Sequence, residues 1–190
     1  MARKVTITKD IILGSALTML IRDGYSSVNV KTLAAEIGCS TQPIVWHFEN
    51  MEGLRTALYI YAREYANKSI KASTNPSDLF KEMGRSYIRM AVREPNLFKF
   101  LYLGESPVSK PYKMKDLTGG QHKAMIRGIA EQTGLTEEQA ASCIQNTIIY
   151  SHGLATMVAT GVFKASEKSL MNMVLQASEG FVRIAGGERR

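Results

Sequence analysis

The chain has 190 residues, 45% of them hydrophobic, which suits one domain or a small domain joined to a larger one; five prolines and the lack of any sustained alternating pattern point to an all-α protein. Its net charge of +7, with a pI near 9.4, is compatible with an anionic partner but thinly spread: residues 1–75 carry 9 Lys+Arg against 6 Asp+Glu, residues 76–133 carry 10 against 6, and the rest 5 against 5. Cys39 and Cys143 form no motif with the three histidines, the N-terminus MARKVTITKDIILG has no apolar signal core, and no apolar run approaches the ~18 residues of a membrane span, so the expectation is a cytoplasmic protein without disulfide, metal site or cofactor.

In chain order, a first helix starts after Thr8 as N-cap, aligns Ile12, Ala16, Met19 and Leu20, and stops before Gly24. A second covers about 29–37. Its stripe is Val30, Leu33, Ala34 and Ile37, with Asn29 at the N-cap and Gly38 where a helix end favours a left-handed residue. The third runs about 41–47 with Pro43 in its first turn, where the missing N–H costs no intrahelical bond. A long fourth helix from near Asn50 carries Leu54, Leu58, Tyr61 and Tyr65. Ser73-Thr74-Asn75-Pro76 marks a boundary. The chain thus divides into a small head over 1–50, a connecting helix over 51–75 and a second domain over 76–190.

The second domain opens with a helix bearing Phe80, Met83, Tyr87, Met90 and Ala91, ending before Glu94-Pro95. A short apolar segment, 97–103, and a loop from Gly104 to Pro111 follow. Another helix covers about 113–132, with a break expected at Thr118-Gly119-Gly120. Two long helices close the chain, about 136–161 and 166–185. The former has one face of Ala141, Ile144, Ile148, Ala155 and Val158 and another of Ala140, Cys143, Tyr150, Leu154 and Met157. A helix apolar on most sides needs cover on most sides. Either both closing helices lie centrally in one domain, or a second copy covers one face, joined by the last helix through Leu170, Met173, Val174, Ala177 and Phe181, giving a four-helix bundle across a two-fold axis.

The second and third helices, separated by a turn of about three residues, have the arrangement of a helix-turn-helix, which places its second member in the DNA major groove. Thr41 and Gln42 head that helix. Gln can bond adenine bidentately and a Thr methyl can meet a thymine methyl, while the bland alternative is an N-cap and a solvated Gln. Pro43 offers an apolar contact surface or simply starts the helix. Phe48 belongs to the core.

Ile12, Ala16, Gly24, Asn29, Leu33-Ala34, Gly38-Cys39-Ser40, His47-Phe48 and Glu52-Gly53-Leu54 occur with matching spacing and no gaps. On these residues the N-terminal third of the chain resembles the TetR/AcrR family of bacterial transcriptional regulators. The resemblance implies an N-terminal three-helix helix-turn-helix domain, joined by a long helix to a helical ligand-binding and dimerisation domain. It implies DNA contacts from Lys31, Ser40, Thr41, Gln42, Pro43, Trp46 and His47; separately, Arg3, Lys4 and Thr8 either hold the DNA backbone from the N-terminal side or belong to a disordered basic tail. Val45 and Met51 stand where the family usually has a Tyr and a Lys that contact phosphates, and Trp46 partly replaces the aromatic. In the second domain it implies an inducer pocket. Tyr87, Phe98, Tyr102, Tyr150 and His152 are its candidates among aromatic and Met residues that otherwise pack the core, and a Met-rich lining suits large, largely apolar ligands.

No paired carboxylates, Ser-His-Asp set, metal-ligand spacing or Gly-rich phosphate loop rises above chance, so no enzyme is expected. The expected protein is a ligand-responsive repressor, a homodimer through its last two helices, binding a pseudo-palindromic operator and released by a small-molecule inducer. The alternative is a helical small-molecule or protein-binding module with weak or no specific DNA binding.

Overall fold

The computed structural model describes residues 7–68, 70, 75–106 and 122–187. Arg3, Lys4, Ser73, Thr74, most of the expected 104–111 loop and the 113–121 start of a helix with its Thr118-Gly119-Gly120 break lie outside them. All regular structure among the described residues is helical. The elements are α1 (Lys9–Asp23), a 3-10 turn (Tyr25–Ser27), α2 (Val30–Ile37), α3 (Gln42–Phe48), α4 (Met51–Lys68), α5 (Pro76–Arg93), α6 (Pro95–Tyr102), α7 (Lys123–Thr133), α8 (Glu137–Ala159) and α9 (Glu167–Ala185). Among them no helix is long and apolar enough to cross a membrane.

The chain forms two compact units, one of Met1–Asn67 with Glu94–Lys110, the other of Lys68–Arg93 with Pro111–Arg190. In the first, much of the expected stripes becomes core: Ile12, Ala16 and Leu20 of α1, Leu33 of α2, and Leu54 and Leu58 of α4 are buried, joined by Ile44 and Phe48 of α3, whereas Tyr65 at the far end of the α4 stripe is exposed. The helix ends follow local chemistry. Thr8 Oγ1 accepts from the Ile11 N–H at 3.3 Å to cap α1. Gly24, at φ +88°, lets the chain turn away, its N–H bonding the Leu20 carbonyl at 3.0 Å.

Residues 97–103, read from the sequence only as an apolar segment, belong largely to α6, with Pro95 in its first turn. Leu97, Phe98, Phe100 and Leu101 are all buried. α6 packs on α1 and so joins the N-terminal helices. Asn96 Nδ2 donates to the Ile21 carbonyl at 3.2 Å. Phe100 meets the Tyr25 ring at 4.9 Å between centroids and the Tyr59 ring at 6.0 Å, and the Tyr65 hydroxyl donates to Glu94 at 2.7 Å.

In the second unit, α8 packs against α5, α7 and α9. Met125, Ile126, Ala130, Ala140 and Ile144 form a buried cluster, with Phe80, Met83 and Ile148 against it. Thr136 caps α8 in a capping box with Gln139. The Gln139 side chain also donates to the Ala185 carbonyl at 2.8 Å, fastening the start of α8 to the end of α9. Glu167, in the first turn of α9, takes Arg89 and Arg93 of α5, each at 3.2 Å.

Candidate nucleic-acid interface

Asn29 Oδ1 accepts from the Lys31 and Thr32 N–H groups, each at 3.0 Å, and the Asn29 N–H donates to Thr32 Oγ1 at 3.1 Å. This closed box fixes where α2 begins. The helix ends at Gly38, whose φ of +74° is left-handed and strains any residue with a Cβ. The Cys39 N–H then bonds the Ala34 carbonyl at 3.0 Å. A short turn through Ser40 and Thr41 leads into α3. Thr41 stands at its N-cap position without a capping side-chain bond, which leaves its hydroxyl available to a ligand.

α3 sorts its side chains by helical period. Ile44 and Phe48, four residues apart, are 1% and 5% exposed and hold the helix to the head. Outward stand Thr41 and Gln42, Val45 at 47% exposure and Trp46 at 79%. Pro43 is half-buried in the first turn; Ser40 and Lys31 are exposed. Lys31, Ser40, Thr41, Gln42 and Trp46 thus all present accessible side chains on α2, the turn and α3.

His47 is placed differently. Its Nε2 lies 2.9 Å from the Ile7 carbonyl oxygen. A carbonyl only accepts, so Nε2 carries the hydrogen, and in the neutral ring Nδ1 is an acceptor. The imidazole therefore ties the end of α3 to the chain just before α1. The Trp46 ring packs edge-on against it, 4.7 Å between centroids at 63°. Val45, a departure from the family pattern in sequence, stands outside as well, because the i, i+4 pair Ile44 and Phe48 turned inward leaves it in solvent.

The exit from α3 is equally constrained. Glu49 has φ +63°, Asn50 Oδ1 accepts from the Gly53 N–H at 3.0 Å, and Met51, half-buried, opens α4. Arg22 at the end of α1 is held by Asp23 at 2.8 Å and Glu36 of α2 at 3.1 Å. Those bonds raise the guanidinium pKa and lower both carboxylates, so this cation is already neutralised locally.

The expected pocket residues come together as two pairs in different units; in the second unit, the Tyr87 hydroxyl of α5 and His152 Nδ1 of α8 are 2.5 Å apart. Burial pushes the His152 pKa below its ordinary value, so the ring is neutral near pH 7. Tyr150 lies two residues away on α8, a spacing that points side chains to different sides of a helix. Phe98, fully buried, and Tyr102, 5.3 Å from it between ring centroids, belong to the first unit. Among the described residues no cluster of His, Cys, Asp or Glu is arranged to hold a metal.

Comparison with known proteins places this geometry. Residues 12–58 match the family model described as bacterial regulatory proteins, tetR family. No curated protein matches the sequence significantly. Among solved structures, the fold is similar to that of TetR from Acinetobacter baumannii AYE, at 15% identity over 95% of this chain and 99% of that one, with a TM-score of 0.65. A single-residue variant of TetR from the same organism, in complex with minocycline, matches at 15% identity over 95% and 99% with a TM-score of 0.56. A TetR-like transcriptional regulator from Rhodococcus sp. RHA1 matches at 10% identity over 96% and 100%, with a TM-score of 0.59.

Proposed function

We propose that this chain, whose residues 12–58 match the tetR family model and whose fold is similar to that of TetR, is a repressor that binds a pseudo-palindromic operator as a homodimer and is released by a small-molecule inducer. The observation that carries this reading is the pairing of the left-handed turn at Gly38 with an α3 whose Thr41, Gln42, Val45 and Trp46 stand in solvent. In the dimer, two α3 helices would enter successive major grooves about 34 Å apart.

Support for the dimer comes from α8. Ser142, Asn146, Ile149, Gly153 and Met157 recur at helical spacing, all exposed, and no Lys, Arg, Asp or Glu occurs after Glu138 in that helix. Leu175 and Ile184 of α9 are 36% and 71% exposed. An uncharged exposed face of this length is what a second copy covers in a four-helix bundle.

The inducer is a largely apolar molecule with at least one polar group facing Tyr87 and His152. A half-buried hydroxyl–imidazole pair is the kind of polar anchor that orients a ligand among apolar walls. The structurally similar Acinetobacter variant is in complex with minocycline, a precedent for a small molecule on this fold. Ligand must bind the DNA-incompetent state better, and a coupling of ~1–3 kcal/mol changes operator affinity about 5–150-fold.

Selection from a random duplex pool by the full-length protein at near-physiological salt tests the reading. An enriched inverted repeat supports it. Salt-labile binding without sequence preference would favour the helical binding module instead.

A further inference from the structure

The outward face of α3 is apolar where it is most exposed, at Val45 and Trp46, and the helix contains neither Lys nor Arg. Such a face gains little from phosphates. In a major groove, the one apolar group that a base pair presents is the 5-methyl of thymine. Resting on the reading of α3 as the operator-binding helix, we propose that Val45 is a specificity-determining residue that reads a thymine methyl, next to the base pair contacted by Gln42.

The geometry fits this step. Gln42 and Val45 are three residues apart and share a helix face. They are displaced about 4.5 Å along the helix axis, against about 3.4 Å between successive base pairs. Val45 therefore reaches the neighbouring base pair when Gln42 engages its own. Trp46, beside it and 79% exposed, closes the contact to water. The indole is held for that task through its edge contact with His47, which is itself fixed by the Ile7 carbonyl. His47 is a positioning residue here.

Replacing single thymines by deoxyuridine removes only the methyl. The experiment takes the duplex most enriched from a random pool and measures binding of the full-length protein with each thymine replaced in turn. One position per half-site is expected to lose about fourfold in affinity, the worth of one buried methyl. Val45→Ala should bind the thymine and deoxyuridine duplexes alike at that position, and Val45→Thr, which keeps one methyl, should retain part of the difference. Both substitutions sit at an exposed position, so folding is not at stake. Retained operator specificity with deoxyuridine tolerated at every position would overturn the proposal while leaving the operator reading intact. An undiminished deoxyuridine penalty in Val45→Ala would also overturn it, by assigning the methyl to another side chain. A pool that yields no enriched duplex would overturn the operator reading, and this proposal with it.

Discussion

A Cβ built on Gly53 would lie 2.2 Å from the Phe48 carbonyl oxygen, a distance no real methyl adopts, and the obstacle is backbone. Two effects oppose each other in Gly53→Ala. Helix propensity favours alanine by up to ~1 kcal/mol, while forcing a methyl into an occupied space costs ~1–3 kcal/mol. With the α3–α4 corner already pinned by Asn50 and Glu49, the steric cost should win and the melting temperature should fall by several degrees. A rise on thermal unfolding would mean that the corner relaxes freely. His152 allows a second test at this scale. Its pKa is depressed by burial, so the folded state favours the neutral ring. Stability is therefore unaffected well above the ordinary histidine value near 6.5 and declines as pH falls through it. Comparing melts at pH 7.5 and 5.5, the wild type should lose more than His152→Gln; equal losses would remove His152 from the account.

α6 serves as a cap for another helix. The last carbonyls of α1 have no intrahelical partner, and Asn96 Nδ2 reaches those of Ile21 and Arg22 at 3.2 and 3.5 Å. Asn96→Ala should cost ~1 kcal/mol and speed amide exchange at the end of α1 and across α6, with exchange in α8 unchanged. Unaltered exchange at the end of α1 would show that the cap is dispensable. This element also marks the limit of what the sequence reveals. α1 to α4 were legible because their signals are local: Thr8, Asn29 and Gly38 act within a turn of the helix ends they set. α6 was not, because Leu97, Phe98, Phe100 and Leu101 leave no polar face to reveal a period, and Pro95 signals the stop of one helix as strongly as the start of the next. Likewise the outward face of α3 follows from the inward pair Ile44 and Phe48. The tether from His47 to Ile7 spans 40 positions and the Tyr87–His152 pair 65, separations that only tertiary packing brings into contact.

At the scale of the whole molecule, the net charge of +7 is a poor guide to how the protein would hold the DNA of the proposed operator. α3 contributes no Lys or Arg, and Arg22 is taken up by Asp23 and Glu36. Among the described residues, Lys31, exposed in the first turn of α2, is a cation placed to meet a phosphate beside α3. The contribution of α3 to specific binding should therefore depend only shallowly on salt, because this helix displaces few counterions. Each phosphate neutralised by a cation adds about 0.9 to the slope of log K against log salt. Lys31→Ala should accordingly flatten that slope by about 0.9 if one copy engages the site and by about 1.8 if two do. One titration series on a fixed duplex, run with both proteins between low and physiological salt, thus reports the contact and the stoichiometry together. The dimer reading expects the larger change. An unchanged slope would place Lys31 away from the phosphates, leaving affinity to the neutral donors and apolar side chains of α3.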